Sequence, residues 1–266
     1  TLVHTYVMQP FTIPSSSLEK SLLIGDFLFV SKFHYGPRTP MTTVAAPMVH
    51  DTIPFVKVKS YLYDDNNPES WKNKLQLPYF RFPGFQEIKN NDIVVFNWPR
   101  DTLFHMYLPA DKRYDKPIDK KTNYVKRCTA IPGDKIELKG GVVYINGKES
   151  ILPERAKPQY SYKVAWDGKT QVNLDYIKQE LQITDAFGQI ANDTLLFSAL
   201  PQESADRIKN IPGITKIERI IHKEADPAIF PGSKNWNVDN LGPIYIPEAG
   251  KTVSLSKETL PFYKKI

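Results

Sequence analysis

The chain has 266 residues, 41% hydrophobic and 12% aromatic, with 35 Lys and Arg against 29 Asp and Glu for a net charge of +6. That length can bury a full core and leaves room for two domains. The mild basicity, with no basic run interleaved with aromatics, excludes a nucleic-acid footprint, and the single cysteine, Cys128, excludes an internal disulfide and cannot by itself hold zinc.

Twenty-two prolines and few sustained helical periods predict a mainly β protein with many turns. The first informative segment is Phe11-Thr-Ile-Pro-Ser-Ser-Ser-Leu-Glu19. Ser16 and Glu19 fit a capping box, and a proline followed by serines also makes a turn; a third reading is a presented nucleophile. The run Leu22 to Phe33 turns at Gly25-Asp26 and continues as an aromatic-rich strand, so the serines are expected on a short loop feeding that strand. Residues 37–90 read as extended loops and a hairpin, rich in Pro, Tyr and Asn. Asn91-Asp-Ile-Val-Val-Phe96 reads as a strand start. A further strand is expected over Asn123 to Ile131, where alternation puts Tyr124, Lys126 and Cys128 on one face. Ile131-Pro-Gly-Asp134 is a turn, opening into a hairpin of Lys135 to Leu138 with Val142 to Lys148.

Residues 149–228 read as an insertion with helices over Val172 to Leu181 and Gln202 to Lys209 and a strand over Ile214 to His222, a small α+β domain. The expected organisation is a catalytic β core at 1–148 with the excursion 37–90, the insertion, and a return segment at 229–266. His4, His34, His50, His105 and His222 fall in no metal-ligand or triad pattern, so no metal or cofactor is expected. No run of about 18 apolar residues occurs, so no membrane-spanning helix is expected within the chain.

The serine loop, the Asn-Asp-Ile-Val-Val-Phe strand and the segment Tyr124-Val-Lys-Arg127 leading to Pro132-Gly-Asp134 occur in an order that resembles bacterial type I signal peptidases. The resemblance implies a mainly β, signal-peptidase-like core, with Ser17 as nucleophile and Lys126 as the base that takes its proton. Ser15 would help the Ser17 N–H hold the oxyanion. Phe11, Ile13, Leu22, Val95, Tyr124 and Val125 would line shallow substrate pockets, and the apolar ones would keep Lys126 uncharged by excluding water. The chain departs from the family motif at Ser16 for glycine, Leu18 for methionine, Lys20 for proline, Ser21 for threonine, Asn91 for glycine and Ala130 for glycine. Ser16 demands an ordinary backbone where glycine would be free.

The family's final box has no good counterpart. Asp239 can be forced onto its aspartate only if Leu241 and Asn237 replace its arginine and serine, so the box is expected beyond residue 266. The insertion would lie away from the serine. The implied activity is removal of N-terminal signal peptides from exported preproteins at Ala-x-Ala sites. It would act at a bacterial inner membrane, with the catalytic domain periplasmic and held by an anchor absent from this chain. Partners would be preproteins and membrane lipid, not nucleic acid. Self-cleaving repressor proteases share a serine–lysine pair but carry a DNA-binding domain ahead of it, which the 16 residues before Ser17 do not accommodate. The remaining alternative is a non-catalytic envelope or assembly protein on the same core.

Overall fold

Strand β1 (Met8–Thr12) pairs antiparallel with β2 (Phe27–Ser31) in the computed structural model, Phe11 opposite Leu28 and Gln9 opposite Val30. Residues 2–104, 112–170, 173–232 and 234–264 are described; His105 and the Val172 start of the expected helix lie outside them. The β1–β2 ladder is extended by Ile13 N–H donating to the Asp26 carbonyl and Gly25 N–H to that of Ile13. Gly25 sits at φ +90°, a conformation nearly closed to residues with a Cβ, which is why the turn needs glycine there. A second antiparallel pair joins β3 (Ile93–Asn97) to β4 (Asn123–Arg127). The chain divides into two units, residues 1–14 with 25–128 and residues 15–24 with 129–266.

In the first unit, the excursion 37–90 holds no strand, only isolated bridges such as Ala45 with Tyr61 and Thr52 with Lys59. Ion pairs tie it to the residues between β3 and β4. The Lys116 ammonium, whose side chain is 2% exposed, donates to Asp51 at 3.1 Å and to Asp101 at 3.2 Å. Asp101, 1% exposed as a residue, also accepts from the Thr122 N–H at 2.8 Å, the Thr122 hydroxyl at 2.7 Å and the Leu103 N–H at 3.2 Å. Burial pushes its carboxyl upward, but these donors and the Lys116 charge outweigh it, so the carboxyl ends below the usual carboxylate range. A depressed carboxylate contributes stability above its unfolded value of about 3.9 and loses it as pH falls through the folded one. Asp101→Ala strands a buried ammonium and is expected to cost about 3–5 kcal/mol in urea unfolding at pH 7. The gap from wild type should narrow below about pH 4. A gap that widens on acidification would contradict this account.

The second unit contains β5 (Lys135–Lys139), β6 (Val142–Ile145), β7 (Lys148–Glu149), β8 (Gln159–Trp166), β9 (Phe187–Ala191), β10 (Thr194–Pro201), β11 (Ile214–Arg219) and β12 (Leu241–Tyr245). One four-stranded sheet runs β12-β5-β6-β7 and a second runs β11-β8-β10-β9. Helices α1 (Leu174–Glu180) and α2 (Gln202–Ile208) pack on the second sheet, and a last turn of helix, α3 (Leu260–Tyr263), follows. The largest cluster of buried side chains lies here: Val164, Ile177, Leu195, Phe197, Leu200 and Ile208 are each at most 1% exposed. The Asn173 side chain caps α1 by accepting from the Tyr176 N–H at 2.9 Å. Sequence reading found α1, α2 and β11 but missed β8, β9 and β10. β10 is buried along most of its length, and such an apolar run carries no alternation to distinguish strand from helix. The fold is mainly β.

Candidate active site

The serine turn belongs to the second unit. After Pro14 the chain bends at Ser15 and Ser16 and winds through a helical turn: Glu19 N–H donates to the Ser16 carbonyl, and the Ser21 and Leu22 N–H groups donate to that of Leu18. Leu18 and Glu19 are buried; Ser15 and Ser17 are exposed. No capping box forms, because the Ser16 hydroxyl does not bond the Glu19 N–H. It donates instead to Asp185 Oδ1 at 2.8 Å. Ser16 has no positive φ, so a residue with a Cβ is accommodated without strain. Lys20 Nζ donates to the Gln182 carbonyl at 3.3 Å and the Ser21 hydroxyl to that of Arg155 at 2.8 Å. The expectation that the insertion lies away from the serine is therefore overturned: three side chains of the turn are bonded to residues 155–185. Nothing local in the sequence announces those partners.

Lys126 belongs to the first unit, on β4. The register sets Lys126 opposite Val94, Val125 opposite Val95 and Tyr124 opposite Phe96. Strand alternation then puts Lys126, Tyr124, Val94 and Phe96 on one face and Val95 with Val125 on the other. The expected pairing of Lys126 with Tyr124 on one face is present, with Nζ 5.8 Å from the ring centroid. Tyr124 is itself stacked on Trp98, ring centres 5.3 Å apart. The apolar neighbours of Lys126 across the ladder are thus Val94 and Phe96, which the sequence expectation lacked because the β3–β4 register that brings them there is set by pairing in space. Lys126 is exposed, so the water-excluding shell expected around it is not formed by Val95 and Val125.

The turn into β3 shows why its motif needs those residues. Asn91 stands at φ +74°, which asparagine tolerates where glycine would be usual. Asp92 Oδ2 accepts from the Lys89 N–H at 2.9 Å and from the Tyr35 hydroxyl at 2.8 Å. Burial and then this hydrogen bond push the Tyr35 phenol up to about 12. Its contribution to stability is present below the unfolded value of about 10 and is lost as pH rises through the folded one. Absorbance titration is expected to show a tyrosine ionising near pH 12 that disappears in Tyr35→Phe; an unchanged titration would refute the assignment. Cys128 is a half-buried thiol whose backbone pairs with Asn91 and Asp92. The Pro-Gly-Asp turn forms as expected, with Gly133 at φ +93° and the Asp134 carboxylate accepting from the Ile131 N–H at 3.0 Å.

A cleft of about 620 Å³ opens in the first unit, lined by Phe11, Val95, Lys32, Arg38 and Lys120 among others. Of the six expected substrate residues, Phe11 and Val95 line it; Ile13 is buried at 3% exposure, and Leu22, Tyr124 and Val125 are half-buried. Burial lowers the Lys32, Arg38 and Lys120 cations, and Arg38 depresses Lys32 further. Asp119 is the acidic lining residue, and it accepts from the Thr42 N–H and hydroxyl at 3.0 and 2.8 Å. The cleft is therefore cationic, with an apolar wall. In the second unit, Asp239 is buried and accepts from the His222 N–H at 2.7 Å and ring Nδ1 at 2.8 Å, a structural corner. Among the described residues no cluster of His, Cys, Asp or Glu could hold a metal, and no helix is long and apolar enough to cross a membrane.

The family described as signal peptidase, peptidase S26, matches residues 1–206, a stretch containing Ser17 and Lys126. Signal peptidase I of Buchnera aphidicola subsp. Schizaphis graminum is 27% identical over 230 residues, 76% of this chain and 56% of that protein. Signal peptidase I of Buchnera aphidicola subsp. Baizongia pistaciae is 26% identical over 177 residues, 66% of this chain and 36% of that protein. That of Rickettsia massiliae is 26% identical over 148 residues, 56% and 38% respectively. The chain thus spans between 36% and 56% of the length of these relatives. Because the match runs through both motif segments and most of the chain, the chain belongs to the signal peptidase family, peptidase S26.

Proposed function

We propose that the protein removes N-terminal signal peptides from exported preproteins as a serine–lysine endopeptidase. The observation that carries this reading is the family match running unbroken through the serine turn and β4. Ser17 Oγ attacks the scissile carbonyl carbon while its proton passes to Lys126 Nζ; the Ser17 N–H and Ser15 hydroxyl hold the oxyanion. The resulting Lys126 ammonium protonates the leaving amine; the regenerated Lys126 amine then deprotonates a water that attacks the acyl-enzyme, and the proton returns to Ser17 Oγ as the acyl bond breaks. Exposure of Ser15 and Ser17 suits groups that must reach a polymer substrate.

The peptide binds extended, with small residues at the first and third positions before the cut, its apolar side chains meeting Phe11 and Phe96, which both line the cleft. Lys126 is exposed without substrate, so its shielding comes from the bound strand itself, over the Tyr124 and Phe96 side of β4 and β3. The protein works at the bacterial inner membrane with its catalytic part on the extracytoplasmic side. Exposure of Lys126 is also the observation that favours the alternative, a non-catalytic envelope protein on this fold. Incubating the full-length protein with a preprotein decides between them, with Ser17→Ala and Lys126→Ala as controls. Equal turnover by all three would retire the enzyme reading.

A further inference from the structure

The peptide unit joining Ser16 to Ser17 carries the N–H that the reading above assigns to the oxyanion. What orients that unit is visible in the second unit of the chain. The Ser16 carbonyl accepts from the Glu19 N–H at 2.9 Å, and the Ser16 hydroxyl donates to Asp185 Oδ1 at 2.8 Å, so the residue is held at two points. A hydroxyl-to-carboxylate bond is charge-assisted and stronger than a neutral one. Two weaker ties flank it, Lys20 to the Gln182 carbonyl and Ser21 to that of Arg155.

Asp185 is itself on a rigid mount. Just past the C-cap of α1, Gln182 takes φ +49°, and the Ile183 N–H closes back onto the Lys178 carbonyl at 3.0 Å. Ile183 is buried beside Ile177 and Leu181 in the core of the second sheet. On the other side Phe187 stacks on Phe197, ring centres 4.9 Å apart and planes 2° from parallel. Asp185 therefore stands on a short span pinned at both ends by core packing. A rigid support of this kind is what an acceptor needs if it is to fix a turn 169 residues away in sequence.

We propose that Asp185 is a positioning residue: through Ser16 it sets the orientation of the Ser17 backbone, and the sheet of residues 159–219 serves as the mount for the nucleophile turn. This rests on the reading of Ser17 as nucleophile. An oxyanion donor tilted away from its target costs transition-state binding and leaves ground-state binding nearly unchanged. Displacements of about 1 Å at such sites cost up to about 100-fold.

The test uses the full-length protein and preprotein cleavage with kcat and KM measured separately. Asp185→Ala and Ser16→Ala are each expected to lower kcat about 10- to 100-fold with KM within about twofold. The double variant should be no slower than the worse single one, because both remove the same bond. Asp185→Asn should recover most of the rate, since an amide oxygen still accepts from the Ser16 hydroxyl. Hydrogen exchange gives a readout independent of turnover: amides of residues 19–22 should exchange faster in Asp185→Ala while those of β8 and β10 keep their protection. Wild-type kcat in Asp185→Ala, multiplicative losses in the double variant, or unchanged exchange in the turn would each overturn the proposal. If Ser17→Ala cleaves as well as wild type, the nucleophile reading and the orienting role fall together; faster exchange in the turn would then leave only a structural tie.

Discussion

Ser17→Ala in the full-length protein is expected to lower kcat/KM for preprotein cleavage by about 1,000-fold or more, because no other group on the turn can form the acyl-enzyme. Ser15 and Ser16 do not substitute: the proposed role of Ser15 is donation to the oxyanion, and the Ser16 hydroxyl is turned to Asp185. Lys126→Arg should be as damaging as Lys126→Ala, because a guanidinium holds its proton at any working pH and cannot serve as a base. If Lys126 acted only as a fixed positive charge, arginine would restore much of the rate, so this comparison separates the two roles. Combining Ser17→Ala with Lys126→Ala should cost no more than either alone, since both serve one step. A rate for Lys126→Arg within about tenfold of wild type would sink the assignment of Lys126 as base.

Phe197→Ala is expected to be the most damaging apolar substitution in the second unit, costing about 3–5 kcal/mol in urea unfolding. Against a typical total of about 5–15 kcal/mol, that loss is severe. Phe197 is 0% exposed, lies on β10 between β8 and β9, and stacks its ring on Phe187. Alanine leaves a cavity that strands paired on both sides cannot collapse to fill. The control is Phe29→Ala on β2, where the ring is 74% exposed and removal should change stability by less than about 0.5 kcal/mol. A cost below about 1 kcal/mol for Phe197→Ala would mean that the sheet of β8 to β11 is not the packed core described here.

Much of the candidate site could be read locally. Gly25 and Gly133 announce turns because few other residues adopt their backbone angles, and both turns form where expected. The strand around Lys126 and its shared face with Tyr124 follow from a period of two. Other features could not be read in this way. The capping-box pattern at Ser16 and Glu19 is real as a pattern, yet the Glu19 N–H donates to the Ser16 carbonyl and the hydroxyl is turned to donate to the Asp185 carboxylate. Of the apolar residues expected to shield Lys126 (Phe11, Ile13, Leu22, Val95 and Val125), the β3–β4 register turns Val95 and Val125 to the other face and puts Val94 and Phe96 beside it. Register between strands separated by a long connection is set by pairing in space, and no single segment contains it.

The amino-acid order by itself determined the turns, the strands that carry the serine and lysine segments, the mainly β class and the family, because each depends on residues adjacent in the chain. Only the folded chain decided which side chains share a face with Lys126, that residues 159–219 form a sheet with its own core, and that Ser16 answers to Asp185. Those outcomes depend on packing and hydrogen bonds between residues far apart in sequence, whose competition is resolved when the chain closes on itself.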